Sequence, residues 1–395
     1  MISLPIAVER CTIPSVFSPS QLAVGEPCLL RVVLAATRDV QSLTAHPAAA
    51  IGSAFHELLE LAARGQIQRR GTAEQDVASA LESLIDEKQT QLAQMSGIPA
   101  TELRSVLPPL IWRRKRRAVL DLAARYLSSV MPSAAPSGPS RSRVAKDLPV
   151  AGKWPEVWLE DLDLRLRGRV DVLERTPGQV VIRDLKTGRV RDKEGELHSH
   201  ITRQMRLYGL VARALWPTVE IRLVVEWGTE LDVAFGPDDQ EEVRAWLTVI
   251  LDRVPAGESM IAESLAVPGQ ACEGCSYRHV CSSYHAFAPK TWRSETAVRM
   301  PLDVWGKVVE MTPQSTDRYD VRMMDAAKRT VKIFGLARSH VEGLSEGDNL
   351  WLFGLRTRER RGGPESYRQP LNFFESSDDD PYAHAWALQS FGSAP

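Results

Sequence analysis

The stretch that most limits what this chain folds into is residues 180–188, VVIRDLKTG. Val180, Val181 and Ile182 make an apolar, β-branched run of the kind that packs on both faces inside a sheet. Side chains alternate along a strand, so Asp184 and Lys186 leave the backbone on one face, two residues apart, and Gly188 ends the strand. A carboxylate and an amine fixed side by side on a rigid strand can hold a metal ion and steer a nucleophile. They are also a common surface pair at a strand end, so the reading depends on what accompanies them.

Residues 161–174, DLDLRLRGRVDVLE, alternate apolar and charged positions, with Arg165, Arg167, Arg169 and Asp171 on one face. Thr176–Gly178 is a turn signal, so this strand and 179–186 are expected to pair as a hairpin, bringing Asp171 near Asp184 and Lys186. Upstream, residues 51–64 read as an amphipathic helix with Ile51, Phe55, Leu58, Leu59 and Ala62 as its apolar stripe. Gly52, His56 and Glu60 share another face. A lone helical His is most often a satisfied surface residue, although Gly52 one turn earlier leaves room for a phosphate. Downstream, a helix over 202–216 sets Gln204 and Tyr208 one turn apart, and 219–227 is a further strand. Helix, strand, strand, helix, strand implies a mixed α/β core.

The 395 residues, 44% hydrophobic, suffice for two domains, and a net charge of −1 confines any nucleic-acid surface to a local patch. One candidate is the basic block Arg113, Arg114, Lys115, Arg116 and Arg117 in a helix over 110–130; such a run is either a solvated face or a phosphate contact. Residues 71–98 and 238–264 read as two more helices, and the Pro-, Ser- and Ala-rich stretch at about 131–150 as a mobile loop. No apolar run reaches the ~18 residues of a membrane span, and no basic segment precedes an apolar one at the N-terminus, so a cytoplasmic protein is expected.

Three of the five cysteines fall within CEGCSYRHVC, residues 272–281. Packing does not explain C-x2-C-x5-C, and in a chain without export clustered thiols point to metal. Cys28, His279, His285 and Cys11 are the candidates for a fourth ligand beside Cys272, Cys275 and Cys281, and zinc and an iron–sulfur cluster both suit the set. Alone, Cys11 and Cys28 read as core thiols. Pro289 is expected to end this unit, and beyond it short strands at 303–311, 319–325, 330–337, 349–357 and 371–375 suggest a small closed or partly open barrel. Trp305 and Trp351, interleaved with Lys and Arg, would suit a single-strand binding face unless they fill the barrel.

Together these motifs resemble the PD-(D/E)XK nuclease superfamily, in its RecB-like branch, and most the iron–sulfur members: the CRISPR-associated adaptation exonucleases and the AddB nuclease domain. Gly52 with His56, Gly168 through Asp171, Asp184 with Lys186, and Gln204 with Tyr208 match its motifs in order, and one early and three late cysteines match its cluster pattern. Val170, where the superfamily has Pro, is a departure. The resemblance, which runs from about residue 18 to 285, implies a restriction-endonuclease-like mixed sheet over residues 1–288; the strand pattern over 289–395 resembles an OB-like domain, without a specific motif. It implies Mg2+ or Mn2+ held by His56, Asp171, Asp184 and the Leu185 carbonyl, with Lys186, Gln204 and Tyr208 completing the catalytic set. It also implies a [4Fe–4S] cluster on Cys28, Cys272, Cys275 and Cys281. The expected activity is a DNA nuclease on single strands or ends, in repair or defence, with a helicase or similar partner. A catalytically silent DNA-binding subunit and a zinc-stabilised interaction protein are the alternatives.

Overall fold

In the computed structural model the described residues are 7–96 (apart from 38, 41 and 44–46), 103–105, 109–129, 143–291 (apart from 187–189, 227–228 and 273), 302–355 (apart from 317, 326–327, 329 and 339–340) and 390–392. The chain begins with β1 (Arg10–Thr12), α1 (Pro19–Gly25), α2 (Leu29–Thr37) and the longer helices α3 (Pro47–Ala63), α4 (Ala73–Ser96) and α5 (Pro109–Ser129). Most of the expected loop at 131–150 lies outside the described residues. Then come β2 (Arg143–Val144), β3 (Gly152–Asp161), β4 (Leu166–Arg175), β5 (Gln179–Leu185), α6 (Ser199–Leu215), β6 (Glu220–Glu226) and β7 (Glu230–Val233). These six strands lie side by side in sequence order. β3, β4 and β5 are antiparallel neighbours, while β5 and β6 run parallel and are joined through α6, as a parallel neighbour requires. The expected mixed sheet flanked by helices is present, and it fits a restriction-endonuclease-like fold.

Two apolar cores flank this sheet. One joins α1, α2, α6 and residues that follow β7 to Val157, Leu159, Val170, Val180 and Ile182. The other packs α3, α4 and α5 together and reaches the sheet at Val172 and Leu185. Those two residues adjoin Asp171 and Asp184, so the candidate carboxylates lie where the cores meet.

Three elements differ from the sequence reading. The alternation over 161–174 is not one strand: residues 162–165 form the turn between β3 and β4, with Arg165 at φ 52. Its guanidinium donates to the carbonyls of Pro14 (2.8 Å), Ser15 (3.0 Å) and Val254 (2.8 Å), fixing the N-terminal segment to the turn. The helix expected over 238–264 is α7 (Pro237–Asp252), after which Pro255 and Gly257 turn the chain into β8 (Ser259–Ile261), the partner of β1, and α8 (Ala262–Leu265). Pro289 does not end its unit but sits inside α9 (Ser282–Thr291).

The C-terminal strands β9 (Leu302–Ser315), β10 (Arg318–Asp325), β11 (Thr330–Ala337), β12 (Asn349–Leu355) and β13 (Ser390–Gly392) form an antiparallel sheet in the order β11-β10-β9-β12-β13. Among the described residues this sheet is open, not a closed barrel, and the strand expected at 371–375 lies outside them. Both of its faces are covered. Val304, Leu350 and Leu352 face one core, and Trp305, Trp351 and Phe353 alternate into another with Leu43, Cys272, Tyr284 and Ala288. No helix among the described residues is long and apolar enough to cross a membrane.

Candidate functional site

The β4–β5 register pairs Val172 with Arg183, and one further step sets Asp171 opposite Asp184, as the hairpin predicted. An Asp171 carboxylate oxygen accepts the Leu185 N–H at 2.6 Å. Asp184 Oδ1 accepts from Gln204 Nε2 at 2.8 Å, and its Oδ2 pairs with Lys186 Nζ at 2.8 Å. Lys186 Nζ also donates to Gln204 Oε1 at 3.2 Å, so one amide on α6 orients both members of the Asp-x-Lys pair. His56 on α3 lies within electrostatic reach of Asp184 and Lys186. Burial holds its imidazole below the usual histidine range, the neutral form a metal ligand needs.

Tyr208, one turn beyond Gln204, is buried and donates from its hydroxyl to the Arg169 carbonyl at 3.0 Å. A Cβ on Gly168 would stand 2.8 Å from Tyr208 Cε1 and 2.7 Å from Pro19 Cδ, so glycine there lets the phenol reach the strand. The apolar residues Trp154 and Val157 on β3, and Val170 and Leu173 on β4, enter the same core at three-residue spacing. Strand alternation therefore slips by one on both strands at the same level, and their register is unchanged across it. Glu156, at φ 54, occupies the slip on β3 and Asp171 the slip on β4. Glu156 is ion-paired with Arg169. Burial and the nearby Glu60 push its carboxyl up to about 7 against the pull of Arg169 and Arg64. Arg169 and Gly52, Ser53, His56, Glu57 and Glu60 of α3 line an open pocket beside the carboxylates. The sequence reading did not single out Glu156 or Arg169 as site residues. The hairpin register marked only the carboxylates, and Glu156 lies on a strand the alternation did not reveal.

The donor set suits a hard divalent cation: two carboxylates, one imidazole and a strand carbonyl. Burial first, and the Asp184 charge second, hold the Asp171 carboxyl well above the usual carboxylate range. That excess of buried negative charge is what a bound cation would offset. Among the described residues no three His, Cys, Asp or Glu side chains converge closely enough to hold a metal ion as they stand.

The four expected cluster cysteines line one pocket but, among the described residues, do not converge closely enough to hold a metal as they stand. Cys28 lies in the turn between α1 and α2, beside Cys272, Cys275 and Cys281. Cys11 stands apart in β1, buried opposite Met260. Burial raises the thiols of Cys272 and Cys275 and pushes Cys281 up to about 12. Four thiols facing one pocket are a soft donor set, which fits zinc or iron–sulfur chemistry and not a hard cation.

His285 on α9 is 2% exposed, and burial pushes it down to about 4 from 6.5 against hydrogen bonds that its ring donates to the backbone at His279 and Arg278. Between those values the unfolded chain binds the proton and the folded one does not. This contribution to stability is therefore complete above 6.5 and is lost as pH falls toward 4. At about pH 5 the expected loss is about 2 kcal/mol. Urea unfolding of the wild type and of His285→Gln across pH checks it: the variant should have the flatter pH dependence, and parallel curves would refute the assignment.

The expected DNA contacts divide. On α5, Arg113, Arg114 and Arg117 are exposed, but Arg116 is spent on Glu82 at 3.0 Å. Trp305 and Trp351 are 0% and 5% exposed and directly paired across β9 and β12. They do not form a base-stacking face, because the face they occupy is covered by the cysteine unit and α9.

No curated protein matches the chain. The profile of the PD-(D/E)XK nuclease superfamily matches residues 16–282, which spans α1 through the third clustered cysteine and takes in His56, Asp171, Asp184, Lys186 and Gln204. With that match over two thirds of its length, and with the mixed sheet and strand order described above, this chain belongs to the PD-(D/E)XK nuclease superfamily.

Proposed function

We propose that the chain is an Mg2+- or Mn2+-dependent deoxyribonuclease that hydrolyses phosphodiester bonds in single-stranded DNA or at DNA ends. The observation that carries this reading is the junction of Asp171 and Asp184 on paired strands with Lys186 held by Gln204. His56, Asp171, Asp184 and the Leu185 carbonyl are the groups that would hold the cation. When bound, that cation offsets charge on the phosphate and lowers the pKa of water. Lys186 positions or activates the attacking water. Gln204 keeps Lys186 and Asp184 in register with each other. Tyr208 fixes the β4 backbone two residues before Asp171.

Cys28, Cys272, Cys275 and Cys281 are read as the ligands of a [4Fe–4S] cluster that ties the N-terminal segment to the end of the nuclease core. Thiols of this kind suit a reducing, cytoplasmic setting. Arg113, Arg114 and Arg117 offer the backbone of a longer DNA a local basic face. The C-terminal unit braces the cysteine pocket and does not stack bases. The biological setting this favours is DNA repair or defence against foreign DNA, alongside a helicase-type partner.

The test is anaerobic purification, iron and zinc analysis, and incubation with labelled single- and double-stranded DNA in Mg2+, Mn2+ or chelator. Metal-dependent cleavage and bound iron that is lost in Cys275→Ala are expected. Absence of cleavage with both cations would overturn the nuclease reading, and zinc in place of iron would overturn the cluster.

A further inference from the structure

We propose that Arg169 grips the phosphate at this site and that Glu156 aims it, an inference that rests on the nuclease reading for the identity of the bound strand. Among the residues lining the pocket beside the carboxylates, Arg169 is the cation. The two glutamates there are already engaged, Glu57 by Lys88 at 2.8 Å and Glu60 by Arg64 at 2.7 Å. A polyanion entering the pocket therefore meets one half-exposed guanidinium whose position is fixed twice. Its backbone carbonyl is held by Tyr208, and its Nε is ion-paired with Glu156. No further side-chain hydrogen bond from Arg169 is made among the described residues, so both terminal nitrogens remain for a ligand. A guanidinium tied at one edge presents them as a planar fork, which matches two non-bridging phosphate oxygens.

Glu156 supports the same assignment by its backbone. It sits at φ 54, a conformation that side-chain-bearing residues rarely adopt and that the surrounding structure must hold in place. Here the hold includes the pair with Arg169, which spans adjacent strands at the level of the carboxylates. Arg169 precedes Asp171 by two residues, about 7 Å along a strand. The phosphate it grips is thus the one being cleaved or its immediate neighbour. By contrast, Arg167 on the same strand is turned onto the Trp158 ring, 5.0 Å from its centroid, and serves as a control.

The experiment is binding of a fluorescent single-stranded oligonucleotide, read by anisotropy in chelator at several salt concentrations, with thermal unfolding to check each variant. Arg169→Ala should weaken binding about tenfold and lower the slope of log affinity against log salt by about 0.7, the share of one single-strand phosphate contact. Arg169→Lys should keep the slope but bind more weakly, because it retains the charge and loses the fork. Glu156→Gln should also weaken binding, and Arg167→Ala should match wild type. A wild-type slope in Arg169→Ala would overturn the proposal. If that variant does not fold, wild-type affinity in both Arg169→Lys and Glu156→Gln would overturn it. A cleavage assay on the wild type separates the two ideas. Cleavage with an unchanged slope removes only the role of Arg169. A reduced slope without cleavage removes only the nuclease reading. Failure to bind any strand removes both.

Discussion

Asp184→Asn is expected to lower DNA cleavage by at least about 10²–10³-fold, the scale of losing one preorganised charge-stabilising group at a reacting centre. The asparagine keeps the size of the side chain and a carbonyl oxygen for the Gln204 amide, which now donates to Asp184 Oδ1 at 2.8 Å. What it removes is the negative charge shared with Lys186, and with it one of the ligands proposed above for the divalent cation. The fold should not suffer. Asp184 is one of the charges that hold the Asp171 carboxyl above its usual range, so neutralising it relieves a buried repulsion while Lys186 keeps its contact with Gln204. Unfolding temperature should therefore stay level or rise as activity disappears. Digestion of end-labelled DNA in Mg2+ or Mn2+ and a thermal melt on the same sample measure both halves. Cleavage at the wild-type rate would remove Asp184 from the site, and a large fall in melting temperature would make its role structural.

Much of this site was legible in the sequence because its parts sit at fixed local spacings. Asp184 and Lys186 are two residues apart on a strand, Gln204 and Tyr208 are one helical turn apart, and a turn signal joins the two Asp-bearing strands. Each is a short-range rule, and the structure brings all of them to one place. What escaped is what depends on packing between distant elements. β3 contains Pro155 and interrupts its own alternation at Glu156, so periodicity gave no strand there. The run DLDLR alternates as a strand does, yet forms a turn because Arg165 finds three carbonyl acceptors in segments far along the chain. Trp305 and Trp351 are the same lesson in reverse. Alternation correctly puts them on the face opposite Val304 and Leu352, but only the tertiary structure reveals that the cysteine unit covers that face.

Asp303→Ala is expected to cost about 3–5 kcal/mol of stability, the scale for leaving one member of a buried ion pair without its partner. Asp303 is 0% exposed and accepts from Arg278 Nε at 2.5 Å, Arg278 Nη2 at 3.0 Å and the Tyr284 hydroxyl at 2.7 Å. Arg278 lies between Cys275 and Cys281 in the chain and also donates to the Cys275 carbonyl at 2.8 Å. One carboxylate at the start of β9 therefore fixes the loop that carries two of the clustered thiols. Without it the guanidinium, too basic to give up its proton, stays charged in a dry site, and the burial that disfavours its charge is no longer offset by Asp303. The chain can relieve this only by opening the contact between β9 and the cysteine unit. Urea unfolding should report the loss, and Cys275 and Cys281 should react faster with a thiol reagent in metal-free protein. A paired replacement tests the cause: Asp303→Leu with Arg278→Met removes both charges, and should recover more than half of the lost stability, because apolar groups of similar size often replace a buried pair at little cost. Recovery would assign the loss to the stranded charge. A double variant as unstable as Asp303→Ala would assign it instead to the shape of the interface, and wild-type stability in Asp303→Ala would mean that the pair does not hold the C-terminal sheet to the cysteine unit.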